Sequence, residues 1–420
     1  MGFASAWLKE RTLFPELIKE APSENTGVIV VVPSYDEPEI TDLLDSLASC
    51  QEPVCKVEVI IIVNAPADAG RESLKNNQES ILKAEIWKKE HPFGFFDLYI
   101  IDGSSLSSEG WSVGLARKTG MDEAVRRFDL LNKPDGIILN LDADCKVKSN
   151  YFTAVYREMH DRSDRSACSV YFEHPISGNE FPQEVYRSII LYELHLRYYL
   201  QGLAFTGFPY VHHTVGSAIA VKALPYVKAG GMNRRMAGED FYFIQKLLPA
   251  GGFFNLNQTA VYPSPRSSAR VPFGTGVTIL RLTEEKSETL LTYNPEAFSE
   301  LKTLFSLIGR IFLCKNDDPE FAYNDLPPGI RRFTGMQEWT AKIREIKSNT
   351  SGIKSFRKRF FGWFNMFKIV KYLNSVHSLF LVKKPVVECA SELLNAIGID
   401  FKTDDAAELL KYYRLLEMKD

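Results

Sequence analysis

Two aspartates one residue apart, Asp142 and Asp144, follow a short apolar run, Ile137-Ile-Leu-Asn-Leu141, which the turn-formers Pro134, Asp135 and Gly136 precede. The run reads as a strand buried on both faces of a parallel sheet. Because strand side chains alternate faces, Asp142 and Asp144 point the same way while Ala143 points away. Like charges held that close repel unless a cation sits with them. Oxygen-only ligation suits a hard divalent ion, Mg²⁺ or Mn²⁺, and such an ion suits a diphosphate. In open α/β sheets ligands bind outside the carboxyl ends of the strands, where this pair falls. An isolated Asp-x-Asp is more often a turn that caps the next helix, so its neighbours must decide.

Further along stands Gly238-Glu-Asp240, directly before a helical stretch at 241–248. Acidic residues there ordinarily cap a helix and match its dipole. Arg117 lies one turn into a helix predicted at 115–128, behind a Gly/Ser-rich loop at 102–114. From there it could reach a phosphate or simply face water. Gly216 and Ser217 would let a ligand approach the backbone closely. His212 and His213 are adjacent in an extended segment and so face opposite ways, which suits structural roles better than a shared metal. Neither GxGxxG nor the P-loop pattern GxxxxGK[ST] occurs, which sets aside dinucleotide and ATP-hydrolase chemistry.

These residues need a scaffold, and the apolar periodicity supplies one. Strands are expected at 27–32, 57–63, 96–101 and 137–141, with helices at 39–48, 72–89 and 115–128 between them. That alternation gives a doubly wound α/β domain with right-handed crossovers. Beyond it come a helix at 151–160, a strand at 169–173, a long aromatic helix at 184–200 and strands at 214–221 and 260–262. A loop rich in Pro, Ser, Gly and Arg follows at 263–276. The first 22 residues read as a short amphipathic helix broken at Pro15. From about 280 the chain turns helical, which sets expected boundaries at 1–25 (lead-in), 26–280 (α/β domain) and 281–420 (helical region).

The 420 residues, 45% hydrophobic and 25% charged, are those of a globular protein, and the net charge of −3 argues against bulk nucleic-acid binding. Six scattered cysteines without paired spacing point to reduced thiols. With no signal-peptide-like start and no run near the roughly 18 apolar residues of a membrane span, the expected location is cytoplasmic. Residues 352–384 carry eight Lys or Arg and no acid, with aromatic residues interleaved. Peripheral contact with an anionic membrane through 353–384 is one reading; an aromatic face packed inward is the other.

The ordered motifs resemble family 2 glycosyltransferases of the GT-A fold. The resemblance rests on Val30-Val-Val-Pro-Ser-Tyr-Asp-Glu37, on Gly114-Leu-Ala-Arg117 with Gly120 and Ala124, on Asp142-Ala-Asp144, and on Gly230-Gly-Met232 with Glu239-Asp240. It spans about residues 25–280 and leaves 281–420 uncovered. It implies that Pro33, Tyr35 and Glu37 hold the base and ribose of a nucleotide-sugar. It implies that Asp144 ligates Mg²⁺ or Mn²⁺ while Asp142 contacts the ribose or the ion's water shell, with Ala143 between them at the donor. Asp240 matches the catalytic base of inverting members, with Glu239 beside it, and Arg266 and Arg270 fall where a loop closes on the diphosphate. Arg117 and Asn64 complete the expected nucleotide-sugar contacts. Asn64-Ala-Pro-Ala departs from the family's Asp-rich turn, which leaves the donor base open, and no histidine follows the last core strand to complete a metal site.

A glycosyltransferase is therefore expected, using a UDP-sugar first and a GDP-sugar second, with a saccharide, lipid-linked or small-molecule hydroxyl as acceptor. Two alternatives stand beside it. A nucleotidyltransferase should carry a basic Gly-rich loop after the first strand, whereas Ser34-Tyr-Asp-Glu-Pro38 is acidic. A non-catalytic binder or scaffold would have no need of Asp240.

Overall fold

The computed structural model describes residues 2–92, 94–106, 110–234, 238–270, 274–313 and 323–419. These residues form two compact units, one of 1–178 with 212–277 and one of 179–211 with 278–420.

The first unit is built on an eight-stranded sheet. Its strands are β1 (Thr26–Ser34), β2 (Lys56–Val63), β3 (Phe96–Asp102), β4 (Ile137–Asn140), β5 (Lys146–Val147), β6 (Ala167–Phe172), β7 (Ile219–Lys222) and β8 (Phe253–Tyr262), in the order β3-β2-β1-β4-β7-β6-β8-β5. The pairs β1–β2, β2–β3, β1–β4 and β6–β8 are parallel. The strand β7 runs against both β4 and β6, and β5 runs against β8. This is the mainly parallel α/β class expected of the chain, with β7 and β5 as the antiparallel members. Consecutive β1 residues Val28 to Val32 are all fully buried, so the sheet is covered on both faces. One face packs Ile29, Val31, Ile60, Ile62 and Ile138 against Leu115, Ala116, Ala124 and Phe128 of the helix Val113–Leu130. Gly120 of that helix lies flush on β1, where a Cβ would come 2.4 Å from Val31 Cγ1.

Several elements differ from expectation. The lead-in helix covers only Ser5–Arg11 and ends before Pro15. Leu17 and Ile18 lie beyond it, their amides donating to the Glu123 carboxylate. The strand expected at 214–221 begins only at Ile219, after a 3-10 turn, Gly216–Ala218. Conversely, β8 runs seven residues further toward the N-terminus than the expected 260–262, because its parallel register with β6 starts at Phe253.

The second unit contains the long helix Gln183–Thr206, which packs with the helices Pro295–Ser306, Val386–Ala396 and Ala406–Lys419. Its sealed charge cluster joins residues more than two hundred apart in sequence. The buried Glu193 carboxylate accepts from Arg197 Nε at 2.8 Å and from Arg414 Nε at 2.7 Å, and Arg197 also binds Glu417. In the basic segment, Phe356, Phe360, Phe361 and Phe364 are core residues, whereas Lys354, Arg357, Lys358 and Arg359 are exposed. These four aromatic side chains are packed inward, whereas Phe380 further along is 45% exposed. No helix among the described residues is long and apolar enough to cross a membrane. The five described cysteines are free and buried; Cys314 lies outside the described residues.

Removing Glu193 would take from the fully buried Arg197 one of its two carboxylate partners and from Arg414 the carboxylate it binds. Glu193→Ala is expected to lower unfolding free energy in urea by about 3–5 kcal/mol. In the same helix, Arg187→Ala, which breaks an exposed pair with Glu184, should change it by less than about 1 kcal/mol.

Candidate active site

The C-terminal ends of β1, β2, β4 and β8, and the N-terminal end of the antiparallel β7, fall on one edge of the sheet. That edge carries Glu37 after β1, Asn64 after β2, Asp142 and Asp144 after β4, Gly216 before β7, and Arg266 and Arg270 after β8. Arg117 reaches it from the helix Val113–Leu130, and Glu239 and Asp240 from the first turn of the helix Glu239–Leu247.

The aspartate pair sits on a turn. β4 ends at Asn140, and Cys145 N donates to Asp142 O at 3.1 Å, so the chain folds back through Ala143 and Asp144. Strand alternation therefore does not set their directions. Each carboxylate is aimed instead by its own arginine.

Arg117 is the inner of these. It is only 4% exposed, and its guanidinium bridges Asp142, with Nη2 at 2.5 Å from Oδ1, to Glu239. The guanidinium does not face water, and both terminal nitrogens are taken by carboxylates. Its Nε is buried without a hydrogen-bond partner. Space for it comes from Gly216, where a Cβ would lie 2.3 Å from Arg117 Nη1. The close approach expected at Gly216 is thus made by this guanidinium.

The outer arginines come from one loop. Arg266 Nε donates to Asp144 Oδ2 at 3.1 Å, and its Nη2 binds Glu37 Oε1. Arg270 Nη1 binds the same Glu37 oxygen and donates to the Tyr35 carbonyl at 2.5 Å. Glu37, Asp144, Arg266 and Arg270 are thereby one charge network; Asp142, Arg117 and Glu239 are a second, with Asp240 beside it. Pro33 is paired within β1, Ala143 is buried, and Asn64 is nearly buried with its amide donating to Ser34 O at 2.9 Å. Of the adjacent histidines, His212 Nδ1 lies 2.7 Å from Asn255 Oδ1, and His213 packs edge-on to Phe172.

No protein-family model matches the chain, and no curated protein matches it. Among solved structures it is similar to residues 1–349 of S. aureus TarS in complex with UDP-GlcNAc, at 14% identity over 77% of this chain and 91% of that one, TM-score 0.41. It is similar to the mannosyltransferase PcManGT from Pyrobaculum calidifontis in complex with GDP-Man and Mn²⁺, at 14% identity over 99% and 92%, TM-score 0.35. It is also similar to the bifunctional glycosyltransferase WbbM, at 11% identity over 64% and 46%, TM-score 0.31. Likeness this distant carries nothing about substrate or mechanism.

The electrostatics follow from burial first and from the neighbouring charges second. Burial, then the neighbouring Glu37, pushes Asp144 from 3.8 up to about 6, and Arg266 only partly opposes this. Burial and Glu239 likewise push Asp240 up to about 6 against the pull of Arg117. Burial works against the charge of Arg117, but Asp142 and Glu239 outweigh it, so its pKa lies above the ordinary arginine range. Both carboxylates are thus harder to ionise than an ordinary aspartate. Among the described residues no group of three or more His, Cys, Asp or Glu forms a metal cage. Asp142 and Asp144 could hold a hard divalent ion by two oxygen-bearing side chains, leaving its other positions to a ligand and water.

Two outcomes are expected. A methyl group at position 216 must displace the guanidinium, so Gly216→Ala should cost about 1–3 kcal/mol in denaturant unfolding. Gly309, with nothing within 4 Å, serves as control, and Gly309→Ala should stabilise by up to about 1 kcal/mol. The raised native pKa of Asp240 means that the native state binds a proton the unfolded chain has lost between pH 3.8 and about 6. This residue's contribution therefore falls as pH rises through that window, and Asp240→Asn should flatten that part of the Tm-against-pH curve.

Proposed function

We propose that this chain is a glycosyltransferase that moves a sugar from a nucleoside-diphosphate sugar, a UDP-sugar first and a GDP-sugar second, to an acceptor hydroxyl with inversion. The observation that carries this reading is the joining at one sheet edge of an aspartate pair, two partly exposed arginines and a separate carboxylate whose pKa is raised to about 6. Transfer needs a clamp for an anionic leaving group on one side of the sugar and a base for the acceptor on the other.

In this reading Asp240 takes the proton of the acceptor hydroxyl while that oxygen bonds to the anomeric carbon. The bond from that carbon to the diphosphate oxygen breaks, and its electron pair leaves with the nucleotide. Attack from the face opposite the leaving group inverts the centre. A base with a pKa near 6 is ionised at neutral pH yet more basic than an ordinary aspartate, which suits this task. Arg266 and Arg270 exchange Glu37 and Asp144 for the diphosphate oxygens. Glu239, expected beside the base, serves through Arg117, since it is buried on that guanidinium. Mg²⁺ or Mn²⁺, held by Asp144 and Asp142, would supply positive charge to the departing diphosphate. Pro33, Tyr35, Glu37 and Asn64 border the place for the nucleoside.

The test is a thermal-shift panel of UDP-, GDP- and TDP-sugars with and without Mn²⁺, followed by a transfer assay. A metal-dependent rise in Tm with one nucleotide, lost in Asp144→Ala, is the expected result. In the assay, kcat/KM should climb with an apparent pKa near 6, and Asp240→Asn should lower kcat by about 10²–10⁴. Absence of any shift and any transfer across the panel would sink the reading.

A further inference from the structure

Away from the carboxylates and arginines, the first half of the helix Arg71–Glu90 is built inside out. Asn77 and Ser80 are 7% and 1% exposed, whereas Leu74 is 42% exposed and Leu82 60%. Ser73, Asn76, Asn77 and Ser80 are spaced i, i+3, i+4 and i+7, which puts them on one face. Asn and Ser are poor helix formers because their side chains compete for backbone hydrogen bonds. Turning them inward while leucines face water has no rationale in helix stability alone.

Each of the four has a tertiary partner, and all the partners lie in two loops at the site edge. Asn77 uses both halves of its carboxamide: Oδ1 accepts from Asp36 N at 2.8 Å, and Nδ2 donates to Asn64 O at 2.9 Å. Asn76 Nδ2 donates to Asp36 Oδ1 at 2.6 Å, and Ser73 Oγ donates to Asp36 Oδ2 at 3.0 Å. Ser80 Oγ donates to the carbonyl of Glu37 at 2.6 Å. Asp36 itself has φ of +57°, a left-handed conformation that residues with a Cβ rarely hold without support. The residue after it is Glu37, whose carboxylate receives both Arg266 and Arg270.

We propose that Ser73, Asn76, Asn77 and Ser80 are positioning residues for donor binding. They lock the loop of residues 34–38 in its left-handed turn and tie it to Asn64, so that the nucleotide meets a preformed wall. None of them touches the arginines or the aspartate pair. They act through Asp36 and Glu37, and an unlocked loop would have to be ordered at the expense of donor affinity. The donor half of this assignment rests on the glycosyltransferase reading; the locking half does not.

The deciding variant is Asn77→Leu, which improves helix propensity and fills the space but breaks both loop bonds. Three quantities are read on the full chain: hydrogen exchange of the 34–38 amides, binding of UDP and GDP by calorimetry, and donor KM and kcat at saturating acceptor. Exchange faster by about tenfold or more, with donor KM raised about tenfold and kcat changed less than about threefold, supports the proposal. Unchanged exchange in a folded variant overturns it, and so does faster exchange with donor KM unmoved. Wild-type protein that binds neither nucleotide and transfers no sugar overturns the glycosyltransferase reading instead, and the exchange data then still decide the locking. Should Asn77→Leu fail to fold, the double variant Ser73→Ala/Asn76→Ala, which removes both donors to the Asp36 carboxylate, gives the same readout.

Discussion

Five carboxylates and three arginines share one edge of a sheet, and the surplus of negative charge governs what the rest of the first unit must do. Glu37, Asp142, Asp144, Glu239 and Asp240 would repel one another apart if left to themselves. Arg117, Arg266 and Arg270 hold them together but cannot neutralise them, and this surplus adds to burial, the larger cause, in raising Asp144 and Asp240 to about 6. The fold tolerates the residue of unbalanced charge because the edge is anchored to fully buried β1, β2 and β4. An anionic ligand without its own cation would worsen the imbalance, whereas a ligand arriving with a divalent ion would relieve it.

The three arginines are not equivalent, and magnitudes separate their roles. Arg117 has a side chain only 5% exposed and binds two carboxylates, so stripping it of both would leave a buried charge uncompensated, a penalty of about 3–5 kcal/mol. Arg266 and Arg270 are 26% and 25% exposed at the side chain, and both converge on the same Glu37 oxygen. Water screens their pairs more strongly, and a diphosphate offers more acceptor oxygens than the carboxylate they would leave. The inner arginine is therefore fixed framework, and the outer two are the ones a ligand can recruit.

Much of this was legible in the sequence where the signal is local. Apolar runs such as 57–63 and 137–141 gave strands at or close to their observed bounds, because burial on both faces leaves no other reading. Asp142 and Asp144 stood out because a strand end is a known place for ligands. What was not legible depends on distance or on backbone. Glu239 lies 122 residues from Arg117, and nothing in either neighbourhood announces the other. The aspartate pair sits on a turn closed by a Cys145 backbone bond, so the alternation argument reached the right neighbourhood by the wrong geometry. The helix at 72–89 reads as a charged surface helix because the main partners of its polar stripe are backbone groups and Asp36, which carry no compositional signature. The long helix Gln183–Thr206 belongs with the C-terminal helices, and its sequence position between strands concealed that.

Two chains of support meet at the Asp142–Cys145 turn. One runs from Gly216 through Arg117 to Asp142 and, by Glu239, to the helix that carries Asp240. The other runs from the inverted face of the helix Arg71–Glu90 through Asp36 and Glu37 to Arg266 and Asp144. Each chain controls one aspartate, and the single bond from Cys145 N to Asp142 O fixes the spacing between them. A change in either chain must therefore pull one carboxylate against the other across a turn two residues wide. A polar, inward-facing helix stripe far from any reacting atom is consistent with that demand: apolar packing resists compression but leaves a loop free to slide, whereas directional bonds to named backbone atoms set its register.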